Sequence, residues 1–280
     1  MSIPILDNHV HLEPIKGRNV DSAREFEKLG GTHLIISHLP YDHVEISKAD
    51  DFRTAFDVTV NIKDRVNKET SLHAYATVGP YPVELLSFQR RYGLETAKQI
   101  MMEGMDIAAE YVADGRAIAI GEVGRPHFPV GEEVWSASND ILRHGMQVAR
   151  RTGCAIVLHT EGATPESMKE LAHMAESVGL EPGRVVKHYS PPLVQEDENF
   201  GLVPSVLAGK SAVQVALSKG DRFMLETDFL DDPSRPGAVL AIGTVPKRTK
   251  ALMEKGIMSE EAAHKIHHDV PRAVYGKAFA

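Results

Sequence analysis

Ala117-Ile-Ala-Ile-Gly-Glu-Val-Gly124 is the stretch whose reading decides the fold. Its first half is short and continuously apolar, and its second half runs into a glycine-rich turn. A strand buried on both faces reads this way, and such strands belong to parallel sheets covered by helices. On one side of it, Leu94 to Ala113 has helical periodicity and stops before Gly115. On the other, Glu132 to Thr152 is helical again. The same alternation continues outward. Apolar runs of strand length lie in Ile3–Leu12, His33–His38, Leu72–Val78, Ala155–Leu158, Arg184–Lys187, Gly201–Leu207 and Arg222–Thr227. Helical segments separate them at Asp21–Leu29, Asp50–Lys68, Pro165–Val178 and Ser211–Ser218, with two more near Pro246–Lys255 and Ser259–Val274. Eight strands alternating with helices in about 250 residues predict a TIM (β/α)8 barrel. An open doubly wound sheet is the alternative. No linker, charge block or short repeat interrupts the pattern, so one domain is expected over residues 1–280.

Composition narrows the function classes. The chain has 280 residues, 42% apolar and 25% charged, enough for a sizeable core. A formal net charge of −8 argues against a protein that coats nucleic acid through a general basic field. It leaves room for an enzyme that reaches a polyanion through bound cations. The single cysteine, Cys154, excludes an internal disulfide and reads as a small buried hydrophobe. No signal peptide and no apolar run of membrane-spanning length is evident. A cytoplasmic protein without membrane or obligate protein partners is the expectation.

The strand ends carry the chemistry. Ile3-Pro-Ile-Leu-Asp-Asn-His-Val-His-Leu12 ends in Asp7, His9 and His11, at a spacing of two that shares a strand face. Glu122 follows the fourth strand, His159 the fifth, His188 the sixth and Asp228 the eighth. In a parallel barrel these ends share the C-terminal face, where active sites sit. Six imidazole and carboxylate groups exceed the needs of one tetrahedral ion. They suit two divalent ions about 3.5–4 Å apart with a bridging carboxylate, a device for activating water in hydrolysis. Zn²⁺ suits the imidazoles best, with Mn²⁺ and Ni²⁺ next and Mg²⁺ less natural.

Asp7-Asn-His-Val-His-Leu12, Ile120-Gly-Glu-Val-Gly124, Val157-Leu-His159, Val186-Lys-His188 and Leu225-Glu-Thr-Asp228 together resemble the TatD-like metal-dependent hydrolases of the amidohydrolase superfamily. The resemblance spans almost the whole chain and keeps the ligands in order. It implies that His9, His11, Glu122 and Asp228 hold one ion, and that Glu122, His159 and His188 hold the second. It also implies that Asp228 is the general base and that Asp7 orients a ligand histidine. DNA is the substrate it implies.

Three places depart from the family pattern, and the segment Phe229–Gly237 after Asp228 is more acidic than expected beside a polyanion. Gly79-Pro-Tyr-Pro82 carries Tyr81 where a histidine is usual. Glu161 stands where an arginine usually follows the fifth-strand histidine. Arg125-Pro126 replaces a Leu-Asp pair. The metal ligands are untouched and the substrate-contacting residues differ, so two substrate classes stay open: DNA-like phosphodiesters, or a small lactone, amide or phosphoester. Tyr81, Arg125 and His127 are the candidate substrate contacts, with Arg125 offering an anion-binding cation in place of the lost arginine. His38, ending the second strand, is a further group that points toward the site on one reading. Lys187 is expected to snorkel away from the barrel axis. The adjacent pair His267-His268 faces two directions on a helix and forms no joint ligand set.

Overall fold

A computed structural model describes residues 3–279. Its nine strands are β1 (Leu6–His11), β2 (His33–Ser37), β3 (His73–Val78), β4 (Ala119–Gly124), β5 (Ala155–His159), β6 (Val185–Ser190), β7 (Val203–Leu207), β8 (Met224–Glu226) and β9 (Phe229–Leu230). All pair in parallel, in the order β8-β7-β6-β5-β4-β3-β2-β1-β9. β8 and β9 are one eighth strand broken at Asp228, whose φ of 52° lies in the left-handed region. The first fragment pairs with β7, matching Val206 to Leu225, and the second pairs with β1, matching Val10 to Phe229. The ring therefore closes, and the eight-unit barrel replaces the doubly wound alternative. The uninterrupted run Arg222–Thr227 expected from sequence is shorter because the chain turns at Asp228.

Helices follow the strands as their periodicity predicts, with two additions, one of them the single turn Glu196–Asn199. Glu84–Tyr92 is helical just after Pro82 and buries Leu85 and Phe88. Pro165 opens its helix behind Thr164, whose Oγ1 accepts a hydrogen bond from the Ser167 backbone at 3.2 Å. The last helical stretch is not uniform: Glu260–His264 passes through a π-turn, Lys265–Asp269, before Val270–Tyr275.

The barrel interior is layered. Toward the N-terminal ends of the strands, Leu6, Ile35, Ala119, Ala155, Val157, Val186, Val203 and Met224 interlock. The C-terminal segment closes that end with Val270, Val274, Tyr275 and Phe279. His267 anchors the closure: Nδ1 accepts from the Leu6 backbone at 3.1 Å, and Nε2 lies 2.9 Å from Thr249 Oγ1. His33 is buried, stacked between His73 and Phe279 at 4.9 and 5.3 Å. Cys154 is buried, as expected for a small hydrophobe. Among the described residues, no helix is long and apolar enough to cross a membrane.

Candidate metal centre

The parallel ladder breaks register at three places: between Asp7 and Val10, between Ile120 and Val123, and between Lys187 and Ser190. Each break contains a ligand candidate: His9, Glu122 or His188. An irregular step in a strand re-aims a side chain that strict alternation would fix. These irregularities, with the turn at Asp228, swing the ligand groups to one point above the apolar layer.

Six side chains meet there. Donor atoms of His9, His11 and Asp228 form one group, and those of Glu122, His159 and His188 form another. His9 Nε2 and His11 Nε2 face each other at 3.2 Å. His11 Nε2 is 3.4 Å from Asp228 Oδ1, and His9 Nε2 is 3.5 Å from Glu122 Oε2. In the second group His159 Nδ1 and His188 Nε2 lie 2.8 and 3.0 Å from the same Glu122 oxygen. Metal–ligand bonds of about 2.0–2.2 Å place neighbouring donors roughly 3.3–3.6 Å apart, and the centre is close to that packing. Glu122 touches both groups, so its two oxygens suit a bridge.

The far side of each ring fixes its protonation. His11 Nδ1 donates to the Ser37 carbonyl at 3.1 Å, and His188 Nδ1 donates to Glu226 Oε1 at 3.0 Å. Their Nε2 atoms, when neutral, therefore present lone pairs to carboxylate oxygens and to His9. Lone pairs facing lone pairs in a buried pocket call for a proton or a metal cation between them. The titration of the pocket shows the same demand. Burial disfavours charge on His188, yet Glu226 and Glu122 drive its pKa up to about 10. Burial would raise Glu122, but His159 and His188 hold it well below the usual carboxylate value. Asp228 is held low in the same way, against its burial, by His11 and His188. The donor set fits divalent metal binding.

Two supporting residues escaped the sequence reading. Glu226 is fully buried, takes the hydrogen of His188 and accepts from the Tyr189 backbone at 2.7 Å. Its signal was present, since it lies two residues before Asp228 in a strand. Ser37 holds both β1 histidines, with Oγ 3.1 Å from His9 Nδ1, and receives Thr77 Oγ1 at 3.1 Å. Asp7 does not orient an imidazole as the resemblance implied. Its carboxylate accepts from Thr227 N at 2.9 Å and Thr227 Oγ1 at 2.7 Å, and from the backbone of His9 at 3.3 Å. It ties β1 to the turn that carries Asp228.

The candidate substrate contacts divide. Tyr81 and His127 sit over His159: the Tyr81 hydroxyl is 3.4 Å, and His127 Nδ1 is 2.8 Å, from His159 Nε2. Burial and the nearby Glu122 raise the Tyr81 pKa, so the hydroxyl stays protonated. Burial also lowers the His127 pKa, with His159 adding to the effect. Arg125 does not reach the cavity. Its side chain is fully buried, donates to Glu161 through Nε at 3.1 Å and to Glu170 through Nη1 at 2.6 Å, and lies 4.4 Å over Trp135. The unexpected Glu161 is thus the internal counterion of Arg125. His38 is buried among Tyr41 and Phe56 and bonds Thr59 Oγ1 at 3.0 Å, and burial drives its pKa down to about 3. Lys187 does not snorkel: it is 1% exposed, with Nζ donating to the His188 carbonyl at 2.6 Å. His268 pairs with Asp269 and His264 outside the centre, so it and His267 do face apart.

Five of the six candidate ligands, all but His9, line a cavity of about 280 Å³ whose other walls are Leu39, Pro40, Tyr81, Leu230, Arg235, Ala238 and Val239. A larger space of about 410 Å³ near Lys63, Arg116 and Tyr275 brings no metal-type cluster into its wall.

Comparison with known proteins agrees with this geometry. The family model described as TatD related DNase matches residues 6–276. An uncharacterized protein of Methanocaldococcus jannaschii is 39% identical over 276 residues, covering 98% of this chain and 96% of that protein. A crystal structure of a TatD homolog from Escherichia coli superposes with a TM-score of 0.64 at 18% identity, covering 96% of this chain and 97% of that one. The phosphotriesterase homology protein of Escherichia coli, whose structure holds phosphate in its active site, gives 0.62 at 12% identity over 97% and 99% of the two chains.

Proposed function

Because this chain belongs to the TatD-related DNase family, we propose that it is a dinuclear metal-dependent phosphodiesterase. The observation that carries the reading is the convergence of six ligand groups whose lone pairs face one another around Glu122. His9, His11, Glu122, His159, His188 and Asp228 would hold two divalent ions, which would lower the pKa of a shared water toward neutrality and polarise the bond under attack. Zn²⁺ suits the four imidazoles best, with Mn²⁺, Ni²⁺ and Mg²⁺ as alternatives.

The chain's own groups do the rest. Asp228, held ionised by its histidine neighbours, accepts a proton from the attacking water. Glu122 spans both ligand groups and keeps them at fixed separation. Tyr81, protonated and above His159, donates to an oxygen of the substrate, and His127 flanks it. Glu226 and Ser37 fix the tautomers that present Nε2 inward.

The cavity of about 280 Å³ supports a compact phosphodiester. A single unit at the end of a DNA strand fits that description, and so does a free small phosphoester; the intact groove of a duplex does not. The protein stripped of metal and refilled with two equivalents of Zn²⁺ or Mn²⁺ is expected to hydrolyse bis(p-nitrophenyl) phosphate and to lose that activity on chelation. DNA shortened from its ends identifies a nuclease. Hydrolysis of a lactone, with phosphodiesters and DNA left intact, overturns the phosphodiesterase reading.

A further inference from the structure

We propose that Arg235 is the anion-recognition residue of this site, and that the substrates it selects are phosphate esters that keep a negative charge. The inference deepens the hydrolase reading and rests on it.

Of all the lysines and arginines among the described residues, Arg235 alone lines the cavity that holds His11, Glu122, His159, His188 and Asp228. It is exposed and forms no ion pair among the described residues. Tyr81 lines the same cavity wall. The other cation that the sequence offered, Arg125, is neutralised internally by Glu161 and Glu170. Glu122 and Asp228 are spent on the metal ligand set. An anion entering the cavity therefore meets one cation from the chain that no ion pair holds, Arg235, whose charge also acts on Asp232 in its own turn.

The segment carrying it is built to hold it there. Its root is fixed to the ligand strand: β9 pairs with β1, and the Asp231 backbone donates to the His11 carbonyl at 3.0 Å. The Asp231 carboxylate is buried and accepts from Asn19 N at 2.6 Å and Ser22 Oγ at 3.1 Å. Gly17 permits that approach, since a Cβ there would stand 2.4 Å from the Asp231 carbonyl oxygen. Beyond the root, Ser234 N and Oγ donate to Asp232 Oδ1 at 2.9 and 2.7 Å, and Arg235 N closes a turn onto the Asp232 carbonyl at 3.0 Å. Pro233 and Pro236 flank the turn and fix φ on either side. A turn ordered before binding loses little entropy when its side chain grips a ligand. Arginine suits the task because its planar fork matches phosphate oxygens in pairs. The apolar walls, Leu39, Pro40, Leu230 and Val239, then take the uncharged part of the ester.

The test compares wild type, Arg235→Gln and Arg235→Lys at equal metal content. Inorganic phosphate affinity is measured by calorimetry. Turnover is measured on bis(p-nitrophenyl) phosphate, an anionic diester, and on diethyl p-nitrophenyl phosphate, a neutral triester. In Arg235→Gln the phosphate Kd is expected to rise about tenfold, the cost of losing one charge-assisted contact. KM for the diester rises similarly, with kcat within about threefold, and the preference for diester over triester falls at least fivefold. Arg235→Lys recovers part of the affinity. Unchanged phosphate binding, no phosphate binding by wild type, or equal losses on both esters overturns the proposal. If wild type hydrolyses neither ester yet binds phosphate in an Arg235-dependent way, the phosphodiesterase reading falls and the anion site stands.

Discussion

The two ends of the barrel strands solve opposite problems. At the N-terminal end Leu6, Ile35, Val157, Val186 and Met224 interlock under the C-terminal helix, in regular register and without charge. At the C-terminal end the same strands lose register at His9, Glu122 and His188 and crowd ionisable groups together. The first end gains stability by excluding water, at about 25 cal/mol per Å² of apolar surface buried. The second gives up regular pairing to aim ligands. Structure and chemistry are thus held by different residues of one strand, and substitutions at the two ends should fail differently.

The largest separation is expected at Asp228. Asp228→Asn should lower kcat by about 10²–10⁴ while leaving the thermal midpoint of the metal-free protein where it was. A parallel loss of folding would join the two ends that the comparison separates. Next comes the ionic cluster beside the centre. Glu161→Arg, which restores the family residue on paper, should destabilise by about 3–5 kcal/mol, because it leaves buried Arg125 facing a second cation. Denaturant unfolding measures it, and a gain in phosphodiester cleavage without that cost would show Arg125 free to move. At the apolar end Ile35→Ala should cost about 2–5 kcal/mol and still bind the full complement of metal, as read by elemental analysis. Glu226→Gln should weaken metal affinity about 10–100-fold with little change in stability.

The most gradual effect is a pH dependence at the apolar end. Burial, with His33 adding to it, lowers the His267 pKa to about 4, below the 6.5 of an unfolded imidazole. As pH falls through 6.5 the unfolded chain takes up a proton that the folded one refuses until about 4. Stability from this residue is therefore present above that window and is lost through it, at about 1.4 kcal/mol per pH unit. Urea unfolding of the metal-free protein at several pH values should show the slope, reduced in His267→Gln.

Much of this was legible in the chain. The alternation of apolar runs and amphipathic helices depends on local periodicity, so eight units and a barrel could be read directly. The six ligand candidates fell on strand ends for the same reason. The helix Glu84–Tyr92 was hidden because the prolines before it read as a terminator when they in fact precede its first turn. Glu226 was hidden by its neighbour: two carboxylates at a spacing of two differ in role only through what each faces. Arg125 and Arg235 show the limit most plainly. By sequence Arg125 looked the better anion ligand, being three residues from Glu122, and Arg235 sat in an acidic run. Which arginine is neutralised and which faces the cavity depends on Glu161, Glu170 and Asn139, all distant in the chain.

The sequence by itself determined the class of fold and the set of candidate ligand side chains, because periodicity and strand-end position are local properties of the chain. The tertiary structure alone decided that the eighth strand breaks at Asp228 to close the ring, that three steps in register turn the ligands onto one point, and that Arg235 rather than Arg125 keeps its charge for a ligand. Those outcomes depend on groups brought together across the barrel, where a side chain's charge and direction are set by partners that its own segment does not contain.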